Sequence, residues 1–153
     1  MALDISERRL AFCRRQWPEV TCIDGRRDPL AALRDLVGDD LPTTVFDATG
    51  NPESMMAAFS YVVHGGRLIF VGLVQGDVTF HDPEFHRREL TLLGSRNATA
   101  ADFRRIIGYL EEGEIDLAPW ITHRASSASM IDMFPRWFDR DSGIIKAVVA
   151  FDS

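Results

Sequence analysis

An α/β fold built around a mostly parallel sheet is what this 153-residue sequence predicts, and three observations predict it. Short β-rich runs alternate with stretches of helical period, the pattern of successive βαβ units. Arg67-Leu68-Ile69-Phe70-Val71 is almost continuously apolar, as a strand covered on both faces of a parallel sheet must be. The connections between these runs are short turns, which leaves right-handed crossovers as the way to join parallel neighbours.

The elements follow in order. Leu3-Asp4-Ile5 reads as the end of a strand and Ser6 as the N-cap of the helix after it, with Leu10, Cys13 and Trp17 on one face and Pro18 as its stop. Val20-Thr21-Cys22-Ile23 is a short β-rich run closed by Asp24-Gly25. Asp28-Pro29 opens a second helix whose buried stripe is Leu30, Leu33 and Val37, and Gly38 ends it. Thr43 to Ala48 makes a strand, Thr49-Gly50-Asn51-Pro52 a turn, and Met55, Met56, Phe59, Val62 and Val63 mark a helix running to His64-Gly65-Gly66. After the apolar strand at 67–71, an excursion through Gly76-Asp77 and Asp82-Pro83 leads to a strand at Leu90-Thr91-Leu92-Leu93. A helix from Ala101 to Glu111 presents Phe103, Ile106, Ile107 and Leu110 on one side. Beyond it come an extended Ile121-Thr122-His123, a helix from Ser129 to Phe138 and a last strand from Ile144 to Phe151.

Composition narrows the partners. Hydrophobic residues make up 46% and charged residues 26%, the balance of an ordinary soluble globular chain. A net charge of -6 disfavours nucleic acid, which calls for a basic face. Glu7-Arg8-Arg9 reads as a solvated helix face. No apolar run approaches the roughly 18 residues of a membrane span. Cys13 and Cys22 are the two cysteines, without CxxC or histidine spacing, and read as buried reduced thiols in a cytoplasmic protein. His64, His81, His86 and His123 lie in unrelated contexts, and no nucleophile–base–orienter set emerges.

In open α/β sheets ligands bind outside the carboxyl ends of the strands. There this sequence places Asp4, whose carboxylate suits the two hydroxyls of a ribose and repels a 2′-phosphate, or simply caps the helix that follows. It also places Thr49-Gly50, Gly72-Leu73 and Gly94-Ser95-Arg96, whose glycines admit a flat ligand to the backbone or serve tight turns.

Taken together and in this order, LDISERRLAFCRR, VFDATGNPESMMAAFSYVVHGGRLIFVGL, LTLLGSRNATAADFRRIIGYLEEGEIDLAPWITHR and GIIKAVVAF resemble the zinc-type medium-chain alcohol and polyol dehydrogenases, of the sorbitol, threonine and idonate branches. The resemblance covers essentially the whole chain and is carried most specifically by DATGNPES, GGRLIFVGL and GEIDLAPWITHR. It implies a partial Rossmann-like, doubly wound and mostly parallel sheet lacking its first strand, followed by a C-terminal α+β tail. Residues 1–97 would be an incomplete dinucleotide-binding domain, and residues 98–153 the part that packs against a catalytic domain.

The resemblance also implies a site for NAD. Asp4 would hold the adenosine ribose and favour NAD over NADP, Ile5 would pack on the adenine, and Arg9 would reach the same ribose. Ala48, Thr49 and Gly50 would wall the adenosine side. Val71 and Leu73 would meet the nicotinamide, and Ser95, Arg96 and Asn97 its carboxamide. Lys146 stands where the family places a basic residue on the pyrophosphate; its plain reading is a lysine on an edge strand.

The family's zinc ligands and its Gly-rich turn have no counterpart here: Gly65-Gly66, Gly72 and Gly76 lack the spacing of G-x-G-x-x-G. In the order 3-2-1-4-5-6 the first strand is central, so without it two strands keep an open edge that invites pairing with another chain. Three readings follow: the coenzyme-binding C-terminal part of a zinc dehydrogenase, inactive alone; a stand-alone nucleotide-binding or structural module that oligomerises over its open edges; and one half of a split enzyme.

Overall fold

The structure is a computed structural model that describes residues 1–139 and 142–151. Seven strands and six helices alternate along the described residues: β1 (Ala2–Asp4), α1 (Glu7–Gln16), β2 (Cys22–Asp24), α2 (Pro29–Val37), β3 (Thr44–Asp47), α3 (Pro52–Ala58), β4 (Arg67–Phe70), α4 (Asp82–Arg87), β5 (Thr91–Gly94), α5 (Ala100–Glu111), β6 (Ile121–Ser126), α6 (Ser127–Trp137) and β7 (Lys146–Ala150). The strands form three sheets, β1-β2, β3-β4-β5 and β6-β7. The chain divides into two compact units, Met1–Cys22 with Ala98–Ser153, and Ile23–Asn97.

The Ile23–Asn97 unit is built on the parallel sheet β3-β4-β5. Its rows in register are Thr44, Arg67, Thr91; Val45, Leu68, Leu92; Phe46, Ile69, Leu93; and Asp47, Phe70, Gly94. Leu68 is fully buried among Ala58, Val62 and Leu90, with Phe59, Phe70 and Phe85 closing the cluster. A second cluster joins Ile23, Leu33 and Leu41, and Tyr61 touches both. The Arg88 guanidinium donates to the carbonyls of Ser60 and Val62 at 3.2 Å each, satisfying backbone acceptors where the chain leaves α3. Leu68→Ala is expected to cost about 3 kcal/mol, the price of a cavity in a site that cannot collapse, and urea unfolding measures it.

In the other unit, α1 buries Leu10 and Phe12. The Phe12 ring meets Trp17 and Trp120 edge-on at 5.9 and 5.7 Å. β6 and β7 pair in parallel through the α6 crossover, with an irregularity between Ile121 and His123. Both α5 and α6 begin with reciprocal caps, Thr99 with Asp102 and Ser126 with Ser129.

The elements agree with the sequence patterns in type, and the N-caps Ser6, Asp28 and Asn51 accept from the third residue onward. Three particulars differ. The helix expected to reach His64 ends at Ala58, where Ser60 Oγ donates to the Ala57 carbonyl at 2.7 Å and the chain passes into a 3-10 turn. Asp82-Pro83, read as part of an excursion between strands, opens helix α4, because proline suits a first helical position. And β4 is not enclosed on both faces: the Leu68 side is closed, while Phe46 and Leu93, which flank Ile69 on the other side, are 65% and 45% exposed.

Candidate functional site

The candidate residues fall into two groups, one in each unit. In the first, Asp4 ends β1 two residues before the α1 cap. One carboxylate oxygen accepts the Ser6 backbone N–H at 2.8 Å, and the other stands 3.6 Å from Arg9 Nη1. The pair is solvated, with 64% and 29% of the two side chains exposed, so it adds little to stability. Its effect is positional: the Asp4 carboxylate is held beyond the strand end by its own helix. Ile5 projects beside it, 68% exposed. Lys146 begins β7 and is exposed, its carbonyl accepting from Thr122 Oγ1 at 3.3 Å.

In the second group, the ends of β3 and β4 are fastened to each other. The Asp47 carbonyl accepts from both Val71 and Gly72 backbone N–H groups, at 2.8 and 3.0 Å. Gly50 turns the chain with φ +62°, and a Cβ there would lie 2.9 Å from the Leu73 carbonyl oxygen. A Cβ on Gly72 would run into the backbone N of Gly50 and come within 3.0 Å of the Ala48 carbonyl carbon. Ala48–Gly50 and Gly72–Leu73 therefore share one packed backbone crossing, above which Val71 and Leu73 are 48% and 73% exposed. Ser95 N–H donates to the Phe70 carbonyl at 2.8 Å, so the loop 95–97 leaves directly from the sheet, and Asn97 turns it with φ +62°.

Two acids that the sequence reading passed over organise these ends. Asp47, read as one strand residue among others, is the single buried charged side chain among the described residues, at 5% exposure. Its Oδ1 accepts from Thr49 N and Thr49 Oγ1 at 2.9 and 2.7 Å, and its Oδ2 from Ser54 Oγ at 2.7 Å. The D-x-T spacing at a strand end is the local signal of such a turn. Asp24 takes the Arg26 guanidinium two-pronged at 2.8 and 2.7 Å and its backbone N–H at 3.0 Å. Those bonds from Arg26 hold its carboxyl well below the usual carboxylate range.

No group of three or more His, Cys, Asp or Glu stands together among the described residues. The residues described do not fit a zinc ion. In one unit a fixed carboxylate stands at the end of β1; in the other the strand ends carry Gly50, Gly72 and Gly94, of which the last has nothing within 4 Å of where a Cβ would lie. No helix among the described residues is long and apolar enough to cross a membrane.

Parallel strands joined by helices, with their ligand-facing ends at the carboxyl edge, are the architecture of nucleotide-binding α/β folds. Residues 1–112 match the zinc-binding dehydrogenases, and the chain belongs to that family. It is 40% identical over 121 residues to L-galactonate-5-dehydrogenase of Escherichia coli K12, covering 79% of this chain and 36% of that protein. It is 28% identical over 152 residues to L-arabinitol 4-dehydrogenase of Hypocrea jecorina, covering 95% of this chain and 40% of that one. Among solved structures, an Escherichia coli oxidoreductase of unknown specificity superposes with a TM-score of 0.88 at 23% identity, over 99% of this chain and 43% of the other. The rspB alcohol dehydrogenase of Escherichia coli CFT073, complexed with NADH, gives 0.85 at 21% identity, over 97% and 43%. These likenesses establish a Rossmann-like α/β fold. The chain spans well under half the length of each of these proteins.

Proposed function

We propose that this chain is the NAD-binding C-terminal portion of a zinc-dependent alcohol or polyol dehydrogenase, whose reaction is hydride transfer between NAD and a secondary alcohol. The observation that carries the reading is the Asp4 carboxylate, set at the end of β1 by Ser6 N–H and Arg9. Its oxygens suit paired ribose hydroxyls, and its charge disfavours a 2′-phosphate at the same place. Arg9 reaches the ribose from the first turn of α1, and Ile5 offers an apolar face to the adenine. Ala48, Thr49 and Gly50 wall the adenosine side, Val71 and Leu73 border the nicotinamide, and Ser95, Arg96 and Asn97 hold its carboxamide. Lys146 offers a positive charge to the pyrophosphate. NAD, when bound, supplies the hydride acceptor.

The zinc and most substrate contacts belong, in this reading, to a catalytic domain that residues 98–153 pack against, so the chain alone binds coenzyme and does not turn over alcohol. The relatives favour hydroxyl-bearing small molecules as the substrate class, being named for L-galactonate, L-arabinitol and L-threonine.

Asp4→Asn tests the assignment. Losing a charge-assisted bond to ribose is expected to weaken NADH about tenfold and to narrow the gap between NADH and NADPH, both read by coenzyme fluorescence. An unchanged preference for NADH would remove Asp4 from the site.

A further inference from the structure

The sequence suggests two separate buried thiols. The structure leaves both half-buried. Cys13 lies on α1, one turn beyond Leu10, and Cys22 opens β2. The Cys22 Sγ reaches the Leu10 carbonyl at 3.7 Å. A helical side chain leans back over the turn before it, so the Cys13 side chain and the Cys22 sulfur converge on the Leu10 turn of α1. Both sulfurs also lie within electrostatic reach of the Arg14 guanidinium, which is itself tied to Glu7 at 2.6 Å.

We propose that Cys13 and Cys22 form a dithiol modification site that closes to an intramolecular disulfide when a peroxide is the oxidant. One thiolate attacks a peroxide oxygen, the O–O bond breaks, and a sulfenic acid and one water result. The second sulfur then attacks the sulfenic sulfur and expels the hydroxyl as a second water. Two thiols and one hydrogen peroxide give one disulfide and two waters, so the sulfurs lose two electrons and the peroxide gains them. Burial above all pushes the Cys13 thiol up, which makes the first step slow at neutral pH; the place of the Cys22 sulfur against the Leu10 turn makes the second fast. The closed bond spans a short loop and pins α1, with Arg9 on its first turn, to the strand beside it. Its covalent restraint of the unfolded chain raises the melting temperature.

The test exposes the reduced chain to hydrogen peroxide with dimedone present. The wild type is expected to lose two hydrogens in intact mass, to give a Cys13–Cys22 linked peptide on digestion, to carry little dimedone, and to melt several degrees higher until dithiothreitol reverses it. Cys22→Ser is expected to accumulate the dimedone adduct on Cys13. Independent oxidation of the two thiols to sulfinic acids, disulfide-linked dimers on a non-reducing gel, or thiols left intact by excess peroxide would each overturn the proposal. The wild-type mass and peptide measurements stand even if the serine variant fails to fold.

Discussion

Asp47→Ala is expected to lower the unfolding free energy by about 3 kcal/mol, the cost of stranding donors around a deleted buried acceptor. Three bonds converge on this carboxylate, from Thr49 N, Thr49 Oγ1 and Ser54 Oγ. The Thr49 amide, which has no hydroxyl rotor, cannot be redirected by a simple rotation. Asp47→Asn is expected to cost less, about 1 kcal/mol, because an amide oxygen still serves Thr49 and the Ser54 hydroxyl can turn to accept from the new NH₂. Urea unfolding of the two variants gives both numbers, and the order Ala worse than Asn is the check. Equal losses would mean that the negative charge, not the acceptor geometry, holds the end of β3.

Gly72→Ala is the second large effect. The added carbon meets only backbone: the N and Cα of Gly50 and the carbonyl carbon of Ala48. No side chain can swing aside, so the β3 and β4 ends must separate and the bonds from Val71 and Gly72 to the Asp47 carbonyl stretch. A loss of about 3 kcal/mol is expected, at the upper end of what overpacking costs. Gly94→Ala is the matched control at the end of β5, where nothing lies within 4 Å, and should stay within about 0.5 kcal/mol. If the two alanines destabilise equally, the close crossing of strand ends does not organise this face.

Much of this fold is legible in the residues. Asp28-Pro29 and Gly38 bracket α2 because capping and proline preference are local, and they act in the folded chain as they do in a peptide. The apolar run at 67–71 is a strand for the same reason of pattern. What escaped depends on partners far along the chain or on one hydroxyl. Ser60 ends α3 early through a single bond to Ala57, and Phe46 stays exposed although its sequence context reads as core. Of the candidate site, Asp4 beside a capped helix and the glycines after each strand could be found from position alone. The burial of Asp47 could not: D-x-T announces the turn to Thr49, but not that Ser54, seven residues on, takes the other oxygen. The nearness of Cys13 and Cys22, nine positions apart and on different elements, is likewise a property of the tertiary structure.

Direct titration with NADH and NADPH shows whether this chain binds coenzyme with the proposed preference for NAD. Asp4 is held by the Ser6 N–H and by Arg9, both close along the chain, so its half of the proposed site is expected to form without further strands. The pyrophosphate, without a Gly-rich turn to cradle it, contributes less than in a complete fold. Saturable enhancement of NADH fluorescence, with weaker NADPH binding and the preference lost in Asp4→Asn, is the predicted result. No saturation with NADH up to millimolar concentrations, or equal affinity for the two coenzymes, would contradict it.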